Sequence, residues 1–325
     1  MTIGTIDSVL ALSAPLQALG FALLLACAAG LAIAIYLWVV VREALHPPAG
    51  GMAFALARGL PSSPEEMGLS SRSFVVRCAD GASVPVWEIA SDPGEIDDSS
   101  ATTPRLRIIF LHGWGRSRID SLGRIRPFLL PGAVLYLPDL RGHGDAARGH
   151  GAGGARQRTT LGTREPDDID RLIAALPPGP VILAGHSLGA TIAIRVAAGG
   201  NERHRVRGVI AIAPYDTVRT PIGARLEARD LPGGPLLDAA IAILRLRGVG
   251  VASTVEAARC LQAPLLVLQG EHDRLSPQAE AEAIAAAVPE HRGTITLFSD
   301  TEHADHHQRH PERFEEVIRT FMRQA

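Results

Sequence analysis

The chain has 325 residues, 46% hydrophobic and 20% charged, with a formal net charge of -2. That length fits one large catalytic domain with an appendage, and the near-neutral balance offers no electrostatic attraction to nucleic acid. No lysine occurs, so all 32 basic residues are arginine, and they are scattered rather than gathered into a phosphate-tracking groove. The three cysteines, Cys27, Cys78 and Cys260, form neither a CxxC pair nor an even framework, so they are expected as ordinary buried thiols without disulfide or metal duties.

Residues 1–15 form a tail. From Leu16 to Val41 no charge interrupts a run dense in Leu, Ala, Ile and Val, and Tyr36 and Trp38 sit near its end. About 20 apolar residues suffice to cross a bilayer, and interfacial aromatics fit that reading, so residues 16–41 are expected to be a transmembrane anchor. A cleaved signal peptide fits less well, because the run is long and no basic residue precedes it. Arg42 and Arg58 on the C-terminal flank lean toward a cytoplasmic catalytic domain by the positive-inside rule. Residues 42–72, rich in Pro, Gly and Ser, are expected as a linker.

The folded domain is expected over 73–325. Phe74–Cys78 and Val84–Ile89 flank Asp80-Gly81 and predict a β-hairpin, with Pro85 tolerable only if its strand begins or edges the sheet. Short apolar runs then alternate with helical stretches, the pattern of parallel strands with crossover helices. The strands are Arg107–Leu111, Ala133–Leu137, Val181–Ala184, Val209–Ala213, Pro264–Leu268 and Thr294–Phe298. Helices are predicted over Ile119–Phe128, Asp167–Ala175, Leu188–Ala198, Gln278–Val288 and Pro311–Arg323. The result is an α/β fold with an eight-stranded, mostly parallel, doubly wound sheet. Two insertions interrupt it: 141–166, rich in Gly and Arg, and 215–258, whose apolar stretch Leu236–Leu246 marks a small cap over the site. The GHGAGGAR run within the first does not join a strand to a helix and so is no phosphate loop.

Gly185-His186-Ser187-Leu188-Gly189 follows a strand and opens a helix, the setting of a G-x-S-x-G nucleophile elbow with Ser187 exposed at the turn. A serine hydroxyl is a weak nucleophile and needs a histidine base, which in turn needs a carboxylate to fix its tautomer. In chain order after the serine, Asp273 lies just beyond the strand ending at Leu268, and His303 lies beyond the last strand. Asp216 is the runner-up acid. His306, His307 and His310 follow His303 at helical spacing and mimic a metal site. No metal or other cofactor is expected, and these three are expected as a solvated loop and helix start. The oxyanion hole calls for two backbone N–H groups: Leu188, directly after the nucleophile, and Trp114, in the His112-Gly113-Trp114 turn after a strand. Asp139-Leu140-Arg141-Gly142-His143-Gly144 is expected as a structural turn beside the pocket.

The ordered set LHGWG, DLRGHG, GHSLG, GEHD and TEHAD resembles the α/β-hydrolase superfamily. The hydrophobic N-terminus, linker and FVVRCADGASVPVW are similar to membrane-anchored bacterial serine hydrolases of the lipase or serine-aminopeptidase type. That resemblance, over roughly 73–325, implies a Ser187-His303-Asp273 triad cleaving a carboxylic ester through an acyl-enzyme, and the expected membrane anchor points to a lipid-like or acylated substrate. Acyl transfer to another acceptor or peptide cleavage would use the same residues, and a non-catalytic binding protein on the same fold is the alternative of a different class. The Gly/Arg-rich stretch 148–160 replaces a short serine-containing turn of such proteins. Serine at the elbow separates the chain from the dehalogenase and epoxide-hydrolase branches, whose nucleophile is a carboxylate.

Overall fold

A computed structural model of the chain describes residues 4–48, 51, 55, 57, 59–90, 105–148 and 157–325. It divides into two compact units, Met1–Glu43 and Ala44–Ala325. The described residues of the first belong to one helix, α1 (Gly4–Leu45), which runs past the expected end at Val41. Arg42 and Glu43 are good helix formers, and the chain leaves the helix only as Pro47-Pro48 approaches. Within its segment Leu16–Leu45 the most apolar 18-residue stretch has a mean hydropathy of 2.5, and Leu16, Leu19, Phe21 and Leu23 to Leu25 are exposed. At about 1.5 Å rise per residue it is long and apolar enough to cross a membrane, a property that a signal sequence near an N-terminus shares.

In the second unit eight strands form one sheet in the order β1-β2-β4-β3-β5-β6-β7-β8. These are β1 (Ser70–Arg77), β2 (Ser83–Ala90), β3 (Arg107–Leu111), β4 (Val134–Pro138), β5 (Val181–His186), β6 (Val206–Ile212), β7 (Leu265–Gly270) and β8 (Gly293–Phe298). The last six run parallel, while β2 is antiparallel to both β1 and β4. Pro85 is therefore on an interior strand. It sits just beyond the last β2–β4 pair, Val86 with Pro138, and still joins the two strands through its carbonyl, which accepts from the Asp139 N–H at 2.8 Å.

Strands β3, β4, β5 and β7 are buried along their whole length, as strands covered on both faces must be. Alternate residues Ile108, Phe110, Leu135, Leu137, Ile182, Ala184, Ile210 and Ile212 form one face with Phe128, Phe314 and Ile318. The helices are α2 (Arg118–Ser121), α3 (Glu165–Ala175), α4 (Leu188–Gly199), α5 (Arg219–Glu227), α6 (Pro235–Leu246), α7 (Thr254–Ala258), α8 (Gln278–Ala287), α9 (His306–Arg309) and α10 (Pro311–Gln324). One predicted helix is corrected. Over Ile119–Phe128 only Arg118–Ser121 is α-helical, followed by two single 3₁₀ turns, Leu122–Arg124 and Arg126–Phe128. Gly123 and Pro127 explain this, one by its backbone entropy and the other by its missing N–H and its restriction of Arg126.

The insertion 215–258 carries α5, α6 and α7 between β6 and β7. GHGAGGAR (149–156) lies outside the described residues, as does Arg58. Of the cysteines only Cys78 fits the expectation of a buried thiol. Cys27 and Cys260 are exposed, Cys27 on the apolar helix and Cys260 after α7.

Candidate active site

The chain passes from β3 outward to β4 and then returns to β5 on the other side of β3. The carboxyl ends of β3 and β5 therefore flank a topological switch point, where open α/β sheets leave a crevice. Ser187 occupies that point. It joins β5 to α4 with φ 55° and ψ -116°, a conformation L-residues rarely adopt, held by its N–H donating to the Ile212 carbonyl at 2.8 Å and by Thr191 N–H donating to its own carbonyl at 3.1 Å. The turn leaves no room beside it. A Cβ on Gly185 would strike the Gly189 backbone, and one on Gly189 would strike the Leu111 carbonyl and lie 2.7 Å from the His112 oxygen.

The other two predicted residues converge on the serine. Asp273 lies three residues past β7 and His303 five past β8. His303 Nε2 stands 2.8 Å from Ser187 Oγ, and its Nδ1 stands 2.8 Å from Asp273 Oδ2. The Asp273 carboxylate is buried, and its second oxygen accepts the N–H groups of Leu275 and Ser276, each at 2.9 Å. Two backbone donors thus orient the carboxylate, and the carboxylate orients the imidazole with Nδ1 protonated and Nε2 free to accept. Asp216 is not part of this group. Its carboxylate accepts from Ser253 Oγ at 2.5 Å and from Val255 N–H at 3.0 Å, the duty of a cap on α7.

The amide of Leu188 opens α4 and has no partner within the first turn of the helix. The His112-Gly113-Trp114 turn lies against the elbow so closely that a Cβ on Gly113 would come 3.4 Å from Ser187 Cβ. His112 is buried, its Nδ1–H donates to the Gly113 carbonyl at 2.8 Å, and its Nε2 accepts from Leu140 N–H at 2.9 Å. Burial holds its pKa down to about 4, so it works as a neutral brace. The DLRGHG segment is a structural turn, as expected. Asp139 accepts from the N–H groups of Arg118 and Asp145, and His143 packs edge-on to His112 with ring centres 5.1 Å apart.

Two neighbours of the Ser187, His303 and Asp273 group were not legible in the sequence. His186, the first of the two variable positions of the pentapeptide, is buried; its Nε2–H donates to the His303 carbonyl at 2.6 Å, and its ring centre lies 4.9 Å from that of His303. Burial, helped by the nearby Arg124 charge, holds its pKa well below the usual histidine range. Arg124 donates through Nη2 to the Ala304 carbonyl at 2.7 Å, and burial lowers its pKa to about 10. The solvated histidine segment is corrected as well. His303 is on the loop rather than on a helical face shared with the others, and His306 is 1% exposed, edge-on to Phe298. Burial takes the pKa of His306 down to about 4 and that of His307 to about 3.

The fold and this arrangement define an α/β hydrolase. Residues 108–317 match the family model described as "Alpha/beta hydrolase family", more than half of the chain. The chain belongs to that family and is an enzyme of the hydrolase class.

Among individual proteins, it is 34% identical over 115 residues to a Schizosaccharomyces pombe protein provisionally named a monoglyceride lipase. That match takes in 34% of this chain and 29% of the yeast protein, so the chain spans under a third of that relative. Among solved structures, the Pyrococcus furiosus esterase superposes with a TM-score of 0.62 at 18% identity, over 86% of this chain and 98% of that one. The Bacillus subtilis carboxylesterase CesB gives 0.54 at 18% identity, over 81% and 95%. A thermophilic esterase of Thermogutta terrifontis gives 0.52 at 19% identity, over 78% and 98%. At these identities the structural likeness concerns the fold.

Proposed function

We propose that the protein hydrolyses a carboxylic ester through a covalent acyl-enzyme on Ser187. The observation that carries this reading is the continuous relay of two 2.8 Å contacts from Asp273 through His303 to Ser187 Oγ at the strained elbow. His303 Nε2 takes the hydroxyl proton as Oγ attacks the ester carbonyl, and Asp273 stabilises the imidazolium that forms. The N–H groups of Leu188 and Trp114 hold the oxyanion. His303 then gives its proton to the departing alcohol, which leaves the acyl group on Oγ. A water, deprotonated by His303, attacks that acyl group; the carboxylic acid leaves and Ser187 recovers its proton. No cofactor enters these steps.

The substrate in this reading is a lipid-like or acylated ester. The name of the yeast relative and the apolar helix α1, read as a membrane anchor, both support it. With Arg42 and Arg58 on its C-terminal flank, the helix would leave the catalytic unit on the cytoplasmic side. Residues 215–258 act as the cap that selects the acyl chain. Arg225 of α5 stacks over the Trp114 ring at 4.3 Å, which ties this insertion to the oxyanion turn.

The test is turnover of a panel of p-nitrophenyl and monoacylglycerol esters beside matched amides, with and without an added alcohol acceptor. Ester cleavage releasing free acid is the expected result. Amide cleavage alone would make the protein a peptidase, and product formed only with the acceptor would make it an acyltransferase. Alkaline carbonate extraction of membranes tests the anchor: full-length protein stays with the pellet, and a chain released into the supernatant contradicts it.

A further inference from the structure

The catalytic geometry depends on a loop, 299–305, and loops are the least rigid places to carry a base. Several contacts hold this one. His272 N–H donates to the Thr301 carbonyl at 3.0 Å, and Glu302 N–H donates to Asp305 Oδ1 at 2.9 Å. Neither contact involves residue 303 itself. The two consecutive carbonyls at His303 and Ala304 are taken by two side chains from elsewhere in the chain, the buried His186 through Nε2–H at 2.6 Å and the half-buried Arg124 through Nη2 at 2.7 Å. His186 is also covalently next to Ser187, so one contact fixes the backbone of the base relative to the backbone of the nucleophile. Arg124 anchors the following residue from the opposite direction, out of the 3₁₀ turn Leu122–Arg124, where its Nη1 also donates to the Asp120 carbonyl at 3.3 Å.

Resting on the triad reading above, we propose that His186 and Arg124 are positioning residues that clamp the His303 loop by its carbonyls at 303 and 304 and so set the 2.8 Å separation between His303 Nε2 and Ser187 Oγ. Neither side chain has to touch substrate for this. Their effect falls on the chemical step and leaves ester binding unchanged. A base displaced by about 1 Å costs on the order of 100-fold in rate.

The experiment compares wild type, His186→Leu, His186→Gln and Arg124→Met as full-length protein in detergent. It measures p-nitrophenyl ester kinetics, the rate of covalent labelling by a fluorophosphonate, and the thermal unfolding midpoint. His186→Leu and Arg124→Met are expected to lower kcat and the labelling rate about 10- to 100-fold with KM changed by less than about twofold. Glutamine places an amide N–H near the position of histidine Nε2, so His186→Gln is expected to recover to within about threefold of wild type. A folded His186→Leu that is labelled at the wild-type rate, together with an Arg124→Met that turns over normally, would overturn the clamp and leave the triad standing. A wild type that takes no label overturns both. Loss confined to KM, or a glutamine variant no better than leucine, contradicts a positioning role.

Discussion

Asp273→Asn is predicted to trap the histidine in the wrong tautomer. Asp273 Oδ1 receives the N–H groups of Leu275 and Ser276 at 2.9 Å each, and Oδ2 faces His303 Nδ1 at 2.8 Å. In the variant the amide oxygen must take the Oδ1 place, because an NH₂ group there would oppose two buried donors. Leaving each of those donors unsatisfied costs about 1–3 kcal/mol. Gln269 Nε2 approaches Oδ2 at 3.4 Å and is too long a contact to reverse that choice. The Asn NH₂ group then donates to His303 Nδ1, which forces the ring proton onto Nε2. That nitrogen, 2.8 Å from Ser187 Oγ, becomes a donor and can no longer take the hydroxyl proton. By analogy with other serine triads the loss is on the order of 10⁴ in kcat, about 5 kcal/mol of barrier, with little change in KM. Steady-state hydrolysis of a p-nitrophenyl ester, alongside circular dichroism to confirm folding, measures it. A folded variant within tenfold of the wild-type kcat would refute the tautomer argument.

Gly189→Ala sets a Cβ against the Leu111 carbonyl and 2.7 Å from the His112 oxygen, so α4 must move away from the His112-Gly113-Trp114 turn. Overpacking of this kind costs about 1–3 kcal/mol, and the shift costs on the order of 100-fold in kcat. Thermal melts and ester kinetics report both, and an alanine variant with the wild-type midpoint and rate contradicts the close approach. The buried histidines His112, His143 and His306, with pKa values held down to about 4, 3 and 4, make stability fall in acid. Folded they stay neutral, whereas an unfolded histidine takes up a proton near 6.5. Their contribution is therefore complete above about pH 6.5 and is lost on the way down to pH 4, by about 1.4 kcal/mol per pH unit for each. Urea midpoints at pH 7, 6 and 5 should fall in that order, and equal midpoints at pH 7 and 5 contradict the assignment.

Much of this molecule is written locally. The strands beginning at Arg107 and Val181 announce themselves as unbroken apolar runs because both faces of the sheet are covered, and their ends carry HGW and GHSLG, whose glycines are required by close backbone approach. Chain order then pointed to Asp273 and His303, each following a strand of the same sheet, while Asp216, which also follows one, stayed the runner-up acid until the contacts placed it elsewhere. What escaped the sequence depends on contacts between distant segments. Nothing local distinguishes His186 from any other residue allowed at the second position of the pentapeptide; its part comes from a carbonyl 117 residues away. Arg124 was hidden by a helix prediction that ignored Gly123 and Pro127, and its partner lies 180 residues further on. His306 has the spacing of a surface histidine, and its burial is decided by Phe298 at the end of β8. Pro85 argued for an edge strand because sequence shows which N–H is missing but not that the strand lies at the end of its pairing with β4, past Val86 and Pro138.

The central claim is that Ser187 is an activated nucleophile. Labelling of the detergent-solubilised full-length protein with a fluorophosphonate probe, wild type beside Ser187→Ala, tests it without knowledge of the natural substrate. The account predicts one covalent adduct on the wild type, at Ser187, and none on the variant. A folded wild type that takes no label, or a Ser187→Ala protein labelled as readily as wild type, would contradict it.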